Sequence, residues 1–400
     1  MKGLEGVRVL DLTHMLSGPY GAMLLSDMGT DTIKVEPPGK GEGTRRLQEN
    51  DPENSVHGMG SYFLTLNRNK RSVCIDLKSE EGLEAFYKLV EKSDVVFDNF
   101  SAGVPKRLKI DHESLSRINP RIITCSLTGF GETGPLPDRP AFDMVAQGMG
   151  GGMSITGPEG DGPYRSGIPI GDLGGGLFAA IGILQALLAR EKTGRGQHVD
   201  ISMLDAQISL LNYMATMFLL SGVNPGPLGN AHFVHVPYNT FPTASFHIII
   251  AVIFDKFWDN LMEVVDIPEL RDNADYRTQP GRYRDRDLIN TKLSEALREK
   301  PGDYWLERLR EKRIPCAPVN NFERALSDPQ ILARNMLVSV TLPEGDEVRM
   351  PGNPVKLSET YEDSFSPPPR LGQHTAEVFG EVAGLPPERI AALIEKGVLG

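Results

Sequence analysis

Three cysteines in 400 residues, Cys74, Cys125 and Cys316, exclude a disulfide framework. They are odd in number and lack metal-ligand spacing, which points to reduced thiols in a reducing compartment. Basic residues are also scarce. The 42 lysines and arginines face 53 aspartates and glutamates, a formal net charge of −11. That balance argues against a nucleic-acid partner, which calls for a basic domain. Long apolar runs are missing too. The opening "MKGLEGVRVLDL" has no apolar core of the signal-peptide kind and reads as a strand by Val7. The longest uncharged stretch, Leu173 to Ala189, contains Gly and Gln and is short for a membrane span. The expectation is a cytoplasmic protein with no membrane and no nucleic-acid partner. Internal repeats and low-complexity tracts are absent from the sequence.

Several familiar motifs are missing as well. The turn after the first strand is "THMLSGPYG", whose Gly18 and Gly21 do not make G-x-G-x-x-G. The run "GMGGGMSITG" lacks the Lys-Ser/Thr of a phosphate loop, and no G-x-S-x-G elbow occurs. Only His232 and His235 have ligand spacing, with no cysteine beside them, so no metal site is expected.

What is present is an alternation of strand and helix patterns. Strands are predicted at 7–12, 32–36, 71–77, 94–100 and 121–130. Helices are predicted at 18–29 and, capped by Ser79, through Lys92. Short apolar strands separated by helices imply a doubly wound, Rossmann-like parallel sheet of the α/β class. Ligands of such sheets lie beyond the carboxyl ends of the strands. Two apolar helices follow at about 174–190 and 202–221, separated by "KTGRGQ". We therefore expect a large domain at 1–190, linker helices at 191–224 and a smaller α+β domain at 225–325. The smaller domain has a strand at 245–253 and helices near 255–265 and 302–312, and a distinct tail occupies 326–400.

The stretch "SGIPIGDLGGGLFAAIG" poses a question of its own. Asp172 stands between Gly171 and the trio Gly174, Gly175 and Gly176, ahead of an apolar helix. Aspartate is a good N-cap, but a cap needs no glycine on both sides. A nucleophile fits better. A helix N-terminus keeps a carboxylate ionised. Glycines let substrate approach and expose backbone N–H donors for an oxyanion. Elsewhere, His14 follows the first strand, and the basic runs "NRNKRS" and "KRLK" are either solvated clusters or phosphate contacts.

At these residues the chain resembles the family III CoA-transferases, which include the formyl-CoA, carnitine and bile-acid enzymes. The segments are "LEGVRVLDLTHMLSGPYGAMLLSDMGTDTIKVEPPG", "LNRNKRSVCIDLK", "VVFDNF", "FDMVAQGMGG", "SGIPIGDLGGGLFAAIGILQAL", "KTGRGQHVDISMLDA" and "PRLGQHT", in that order. The resemblance implies that Asp172 is the catalytic carboxylate. It would form anhydride and aspartyl-CoA thioester intermediates while CoA moves between two carboxylic acids. It implies coenzyme A and its acyl esters as substrates, with no tightly bound cofactor and no metal. Succinyl-CoA is a common donor in the family, and the acceptors are small carboxylic or dicarboxylic acids. The CoA cleft maps onto His14, Leu16, Ser17, Ile75 through Lys78, Asn99, Phe100 and Arg107. Arg71 is a weaker mapping, and Phe142 and Asp143 fall near the thioester end. An interlocked-ring homodimer is implied, with the tail returning to complete the large domain.

The sequence departs from the family at two places. Some members carry arginine where this chain has Pro37, and "PLGNAHFVHVPYN" has no polyglycine run like that of the formyl-CoA enzyme. Two other readings share the fold. An α-methylacyl-CoA racemase uses a histidine and an aspartate as an acid–base pair, but its histidine falls at Phe142. A non-catalytic CoA-binding protein would not need the acid at 172.

Overall fold

The computed structural model describes residues 2–360 and 364–400, and among these the chain divides into two compact units. The larger comprises residues 1–152, 165–223 and 330–400. Its centre is a six-stranded sheet: β1 (Arg8–Asp11), β2 (Asp31–Glu36), β3 (Lys70–Cys74), β4 (Val95–Asp98), β5 (Ile123–Thr128) and β6 (His198–Ser202). The spatial order is β3-β2-β1-β4-β5-β6, and every pairing is parallel. This is the strand order of dinucleotide-binding folds, reached here without their glycine fingerprint. The order reverses between β1 and β4, which leaves a crevice beyond their carboxyl ends.

Five of these strands match the predicted ones to within three residues at either end. The sixth, "HVDIS", falls in the segment read as linker helices. It is hydrogen-bonded to β5 with Thr124 opposite His198 and Thr128 opposite Ser202. Helices cover both faces. On one side, Leu10, Ile33, Val73 and Val96 pack with Phe86 and Leu89 of the helix Glu80–Val90. Ser79 caps that helix by accepting the Gly82 N–H at 3.0 Å, as its sequence predicts. On the other side, Val9, Val95, Phe97 and Ile123 pack with α1 (Ser17–Asp27) and with the helix Ile170–Thr193.

Three further helices matter for the site: α2 (Asp143–Met149), α3 (Ile170–Thr193) and α4 (Met203–Leu211). At 24 residues α3 begins four residues before the predicted helix, with Asp172 inside its first turn. Among the described residues it is the one unbroken helix long and apolar enough to cross a membrane. Here its small-residue face is packed on α1 and β5. The helix predicted at 202–221 is broken: α4 gives way to α5 (Tyr213–Ser221) with a bend of 71°. Asn212 makes the break at φ 49°, a conformation that asparagine tolerates better than most residues.

The tail closes the sheet's edge. The Ser72 N–H donates to His374 Nδ1 and the Cys74 N–H to Thr375 Oγ1, each at 3.1 Å. Leu399 bridges to Ile75. An edge strand covered in this way cannot pair with another chain.

The smaller unit, residues 153–164 and 224–329, holds a three-stranded antiparallel sheet. Its strands are β7 (Tyr238–Phe241), β8 (Ile248–Ala251) and β9 (Cys316–Pro318), with β8 in the middle. They pack on helices α6 (Asp255–Val265), α7 (Arg286–Leu297) and α8 (Gly302–Glu311) through Trp258, Leu261, Leu293 and Leu306. The unit is thus an antiparallel sheet with helices packed on it.

The glycine trio has a packing role. A Cβ on Gly176 would lie 2.4 Å from the Ser17 carbonyl oxygen of α1, and one on Gly175 would lie 3.1 Å from Leu127. Gly21 answers from α1, where a Cβ would meet the Gly176 carbonyl oxygen at 2.8 Å. Gly176→Ala therefore forces two backbones apart and should cost about 3 kcal/mol. Gly167→Ala, with nothing within 4 Å of its added Cβ, should be near neutral. Urea unfolding midpoints of the two variants would check the contrast.

Candidate active site

A cleft of about 530 Å³ opens beyond the carboxyl ends of β1, β4 and β5. His14, Leu16 and Ser17 line it from the turn after β1, and Asn99 and Phe100 from the turn after β4. Phe142, Asp143 and Asp172 complete the predicted residues found there. The other predicted positions do not line it. Arg71 lies on edge strand β3 and is saturated by Asp31, at 2.7 and 3.0 Å, and by Glu377 at 2.8 Å. The Ile75 side chain is buried in the core. Lys78 and Arg107 are exposed, with Arg107 at the end of the short helix Val104–Arg107 after β4.

The two turns are locked together. The Asn99 side chain accepts the His14 N–H at 2.8 Å and donates to the His14 carbonyl at 2.7 Å. Beneath them is a buried charge cluster. Lys70 Nζ donates to Asp11 Oδ2 at 2.9 Å, to the Pro19 carbonyl at 3.2 Å and to Asn67 at 3.1 Å. Lys34 Nζ donates to the Thr13 carbonyl at 2.9 Å. Burial pushes the Asp11 carboxyl up, but Lys34, Lys70 and Thr13 outweigh it and hold it below its ordinary value. Burial also lowers His14, and Lys34 lowers it further, so His14 is neutral at pH 7.

Asp172 is the third residue of α3, so it is not the N-cap; Pro169 holds that place and supplies no side-chain cap bond. The capping carboxylate is Asp143. Its Oδ1 accepts the Gly171 N–H at 2.8 Å and the Asp172 N–H at 3.3 Å. Gln147 donates to Asp143 Oδ2 at 2.7 Å and accepts the Ser166 N–H at 2.9 Å. A Cβ on Gly171 would lie 2.9 Å from Asp143 Oδ1, so this glycine makes room for the cap. The α3 donors that the glycine pattern led us to expect as free are thus occupied. The uncapped N-terminus is that of α1, where Leu16 and Ser17 line the cleft and no side chain caps the helix.

The charge state of Asp172 also differs from the expectation of a carboxyl held low by its helix. Burial, then the nearby Asp143, raise it to about 6, against a smaller lowering by a hydrogen bond from Ser17. It is half-buried and still mostly ionised at neutral pH. Tyr62, Arg139 and Arg165 also line the cleft. Sequence reasoning missed all three. Burial, then Asp172, raise the Tyr62 hydroxyl, and both side chains line the same cleft.

The model for CoA-transferase family III matches residues 4–375. The chain belongs to this family. Among family III relatives, human succinyl-CoA:glutarate CoA-transferase is 34% identical over all of this chain and 90% of its own length. Succinyl-CoA:mesaconate CoA-transferase of Haloarcula hispanica is 38% identical over 95% of this chain and 96% of its own. A solved CAIB/BAIF family protein from Brucella suis superposes with a TM-score of 0.85 at 35% identity, covering 95% of this chain and 99% of that one.

The raised carboxyl has a stability consequence. An acid whose folded pKa of about 6 exceeds its ordinary 3.8 binds protons more tightly in the folded state. Stability is then lost as pH rises between those values. Asp172→Asn should therefore unfold at higher urea than the unmutated protein at pH 7. The gain should vanish below pH 3.8, where the carboxyl is protonated folded or unfolded.

Proposed function

We propose that the protein moves coenzyme A from an acyl-CoA donor to a small carboxylic or dicarboxylic acid, with Asp172 as the nucleophile. The observation that carries this reading is a half-buried carboxylate raised to about 6, fixed in the first turn of α3 and facing the crevice between β1 and β4. Its raised basicity makes it a better nucleophile than a solvated aspartate, yet it stays ionised at neutral pH.

In the proposed sequence, an Asp172 oxygen attacks the thioester carbonyl carbon, the C–S bond breaks, and CoA leaves as thiolate. The thiolate attacks the aspartyl carbonyl of the mixed anhydride, releasing the donor acid and leaving an aspartyl-CoA thioester. The acceptor carboxylate attacks that carbonyl and releases the thiolate again. The thiolate takes the acceptor acyl group, and the Asp172 carboxylate is restored. A carboxylate suits this exchange because the donor, aspartyl and acceptor thioesters each join the same sulfur to a carboxyl group and so stand at similar energy. The uncapped α1 N-terminus and the Tyr62 hydroxyl are the donors available to the developing oxyanion.

For coenzyme A, the reading uses His14, Leu16, Ser17, Asn99 and Phe100 along the cleft, with Arg107 on the phosphates. Within Ile75 to Lys78 the Ile75 side chain is in the core and the Ile75 and Asp76 N–H groups are taken by Glu36 and Val398, which leaves the exposed Lys78 ammonium for a ligand, and Arg71 is committed to Asp31 and Glu377. The names of the two relatives support succinyl-CoA as donor. Exposed apolar side chains on α3 to α5, including Leu177, Ile181, Leu188, Leu219 and Leu220, support a homodimer, whose interlocked form is what the family resemblance implies. Phe142, 68% exposed at the start of α2, offers no base for racemase chemistry.

Asp172→Ala should abolish CoA transfer while leaving the fold and CoA affinity intact. Hydroxylamine added after an acyl-CoA should leave a hydroxamate on Asp172 by peptide mass spectrometry. Transfer by the variant, or an unlabelled Asp172, would sink the proposal. Arg107→Ala should raise the KM for acyl-CoA about tenfold with little change in kcat, as a remote charge-assisted contact does. Steady-state kinetics against donor concentration would check it.

A further inference from the structure

We propose that Arg165 reads the second carboxylate of a dicarboxylic acceptor; the inference rests on the CoA-transfer reading above. The cleft already contains Asp143 and Asp172. A dicarboxylic acid adds two more negative charges, one at the reacting end and one at the far end. The far end needs a cation to offset its lost hydration. Among the residues lining the cleft the candidates are His14, Arg139 and Arg165, and His14 is held neutral by burial and by Lys34.

The two arginines differ in how they are held. Arg139 sits in the loop before α2, with its N–H on the Leu136 carbonyl at 3.2 Å inside that same loop. Arg165 directly precedes Ser166, whose N–H is held by Gln147. Gln147 is held by Asp143, and Asp143 grips the N–H groups of Gly171 and Asp172. A continuous hydrogen-bonded path therefore fixes the backbone beside Arg165 relative to the nucleophile. The Arg165 side chain is exposed and makes no ion pair or hydrogen bond among the described residues, with Asp172 and Asp143 included. An arginine anchored to the nucleophile's own support, unpaired, and lining the same cleft is placed for the far carboxylate. Its planar guanidinium can take that group through two N–H donors at once.

The test compares glutarate with pentanoate, a monocarboxylate of equal carbon number, at saturating succinyl-CoA. Arg165→Ala should lower the ratio of kcat/KM for glutarate over pentanoate on the order of tenfold to hundredfold, the size of a lost charge-assisted pair. Arg165→Lys should recover part of it. A distorted site would weaken both acids together, so an unchanged ratio overturns the inference. Calorimetric binding of glutarate to the full chain gives a readout without turnover. Weaker binding to Arg165→Ala than to the unmutated protein supports the inference, and equal or absent binding to both overturns it. Absence of CoA transfer to any acid by the unmutated protein would instead defeat the catalytic reading, and the calorimetry would still judge Arg165.

Discussion

The close approach of α1 and α3 is the contact on which the site depends. Gly21 and Gly176 face each other with no side chain between, and the Ser17 carbonyl presses on Gly176. Helix backbones this close place the first turn of α1 beside the first turn of α3. Ser17 then reaches the carboxylate of Asp172, and the turn after β1 shares a wall with it. A methyl group at either glycine would separate the turn that carries His14, Leu16 and Ser17 from Asp172. Glycine's lack of a side chain matters here as absent volume rather than as backbone freedom; none of Gly21, Gly174, Gly175 and Gly176 has a positive φ.

Charge placement then tunes what packing has assembled. Asp143 takes the helix N-terminal donors that would otherwise favour an ionised Asp172, and its own charge sits close by. Both effects make Asp172 more basic. Gln147 and Ser166 extend this support into the loop that bears Arg165, so one polar path runs from Asp172 through Asp143 to the backbone beside Arg165. Under the opposite wall, Asp11, Lys34 and Lys70 are wholly buried. Such a cluster is costly to break because removing one member strands another. Its bonds to the Thr13 and Pro19 carbonyls hold the turn after β1 in shape, which leaves the neutral His14 and the Asn99 clamp to form the cleft floor.

Much of this was legible in the chain. Five of the central strands announced themselves as short apolar runs, and Ser79 marked its helix by capping chemistry. Asp172 stood out because a lone acid among glycines at the head of an apolar helix is locally unusual. The strand "HVDIS" stayed hidden because its alternating pattern includes a histidine and an aspartate, and only its pairing with β5 makes it a strand. The break at Asn212 stayed hidden because the residues around it are mostly apolar and include no glycine or proline. The glycine trio was seen but misread, since the sequence cannot show that another helix lies against it.

The sequence by itself determined the α/β class and the family, and it singled out one carboxylate, because those rest on local periodicity and on a contiguous motif. Only the tertiary structure decided which residues share the cleft with that carboxylate. Tyr62, Arg139 and Arg165 come from three separate segments and carry no local mark that would place them there. The same packing drew Ile75 into the core and Arg71 into ion pairs at the sheet edge. The strand order, the α1–α3 contact and the Asp143 cap bring distant segments together, and Asp172 owes its raised basicity to a burial and a neighbouring charge that exist only once the chain has folded.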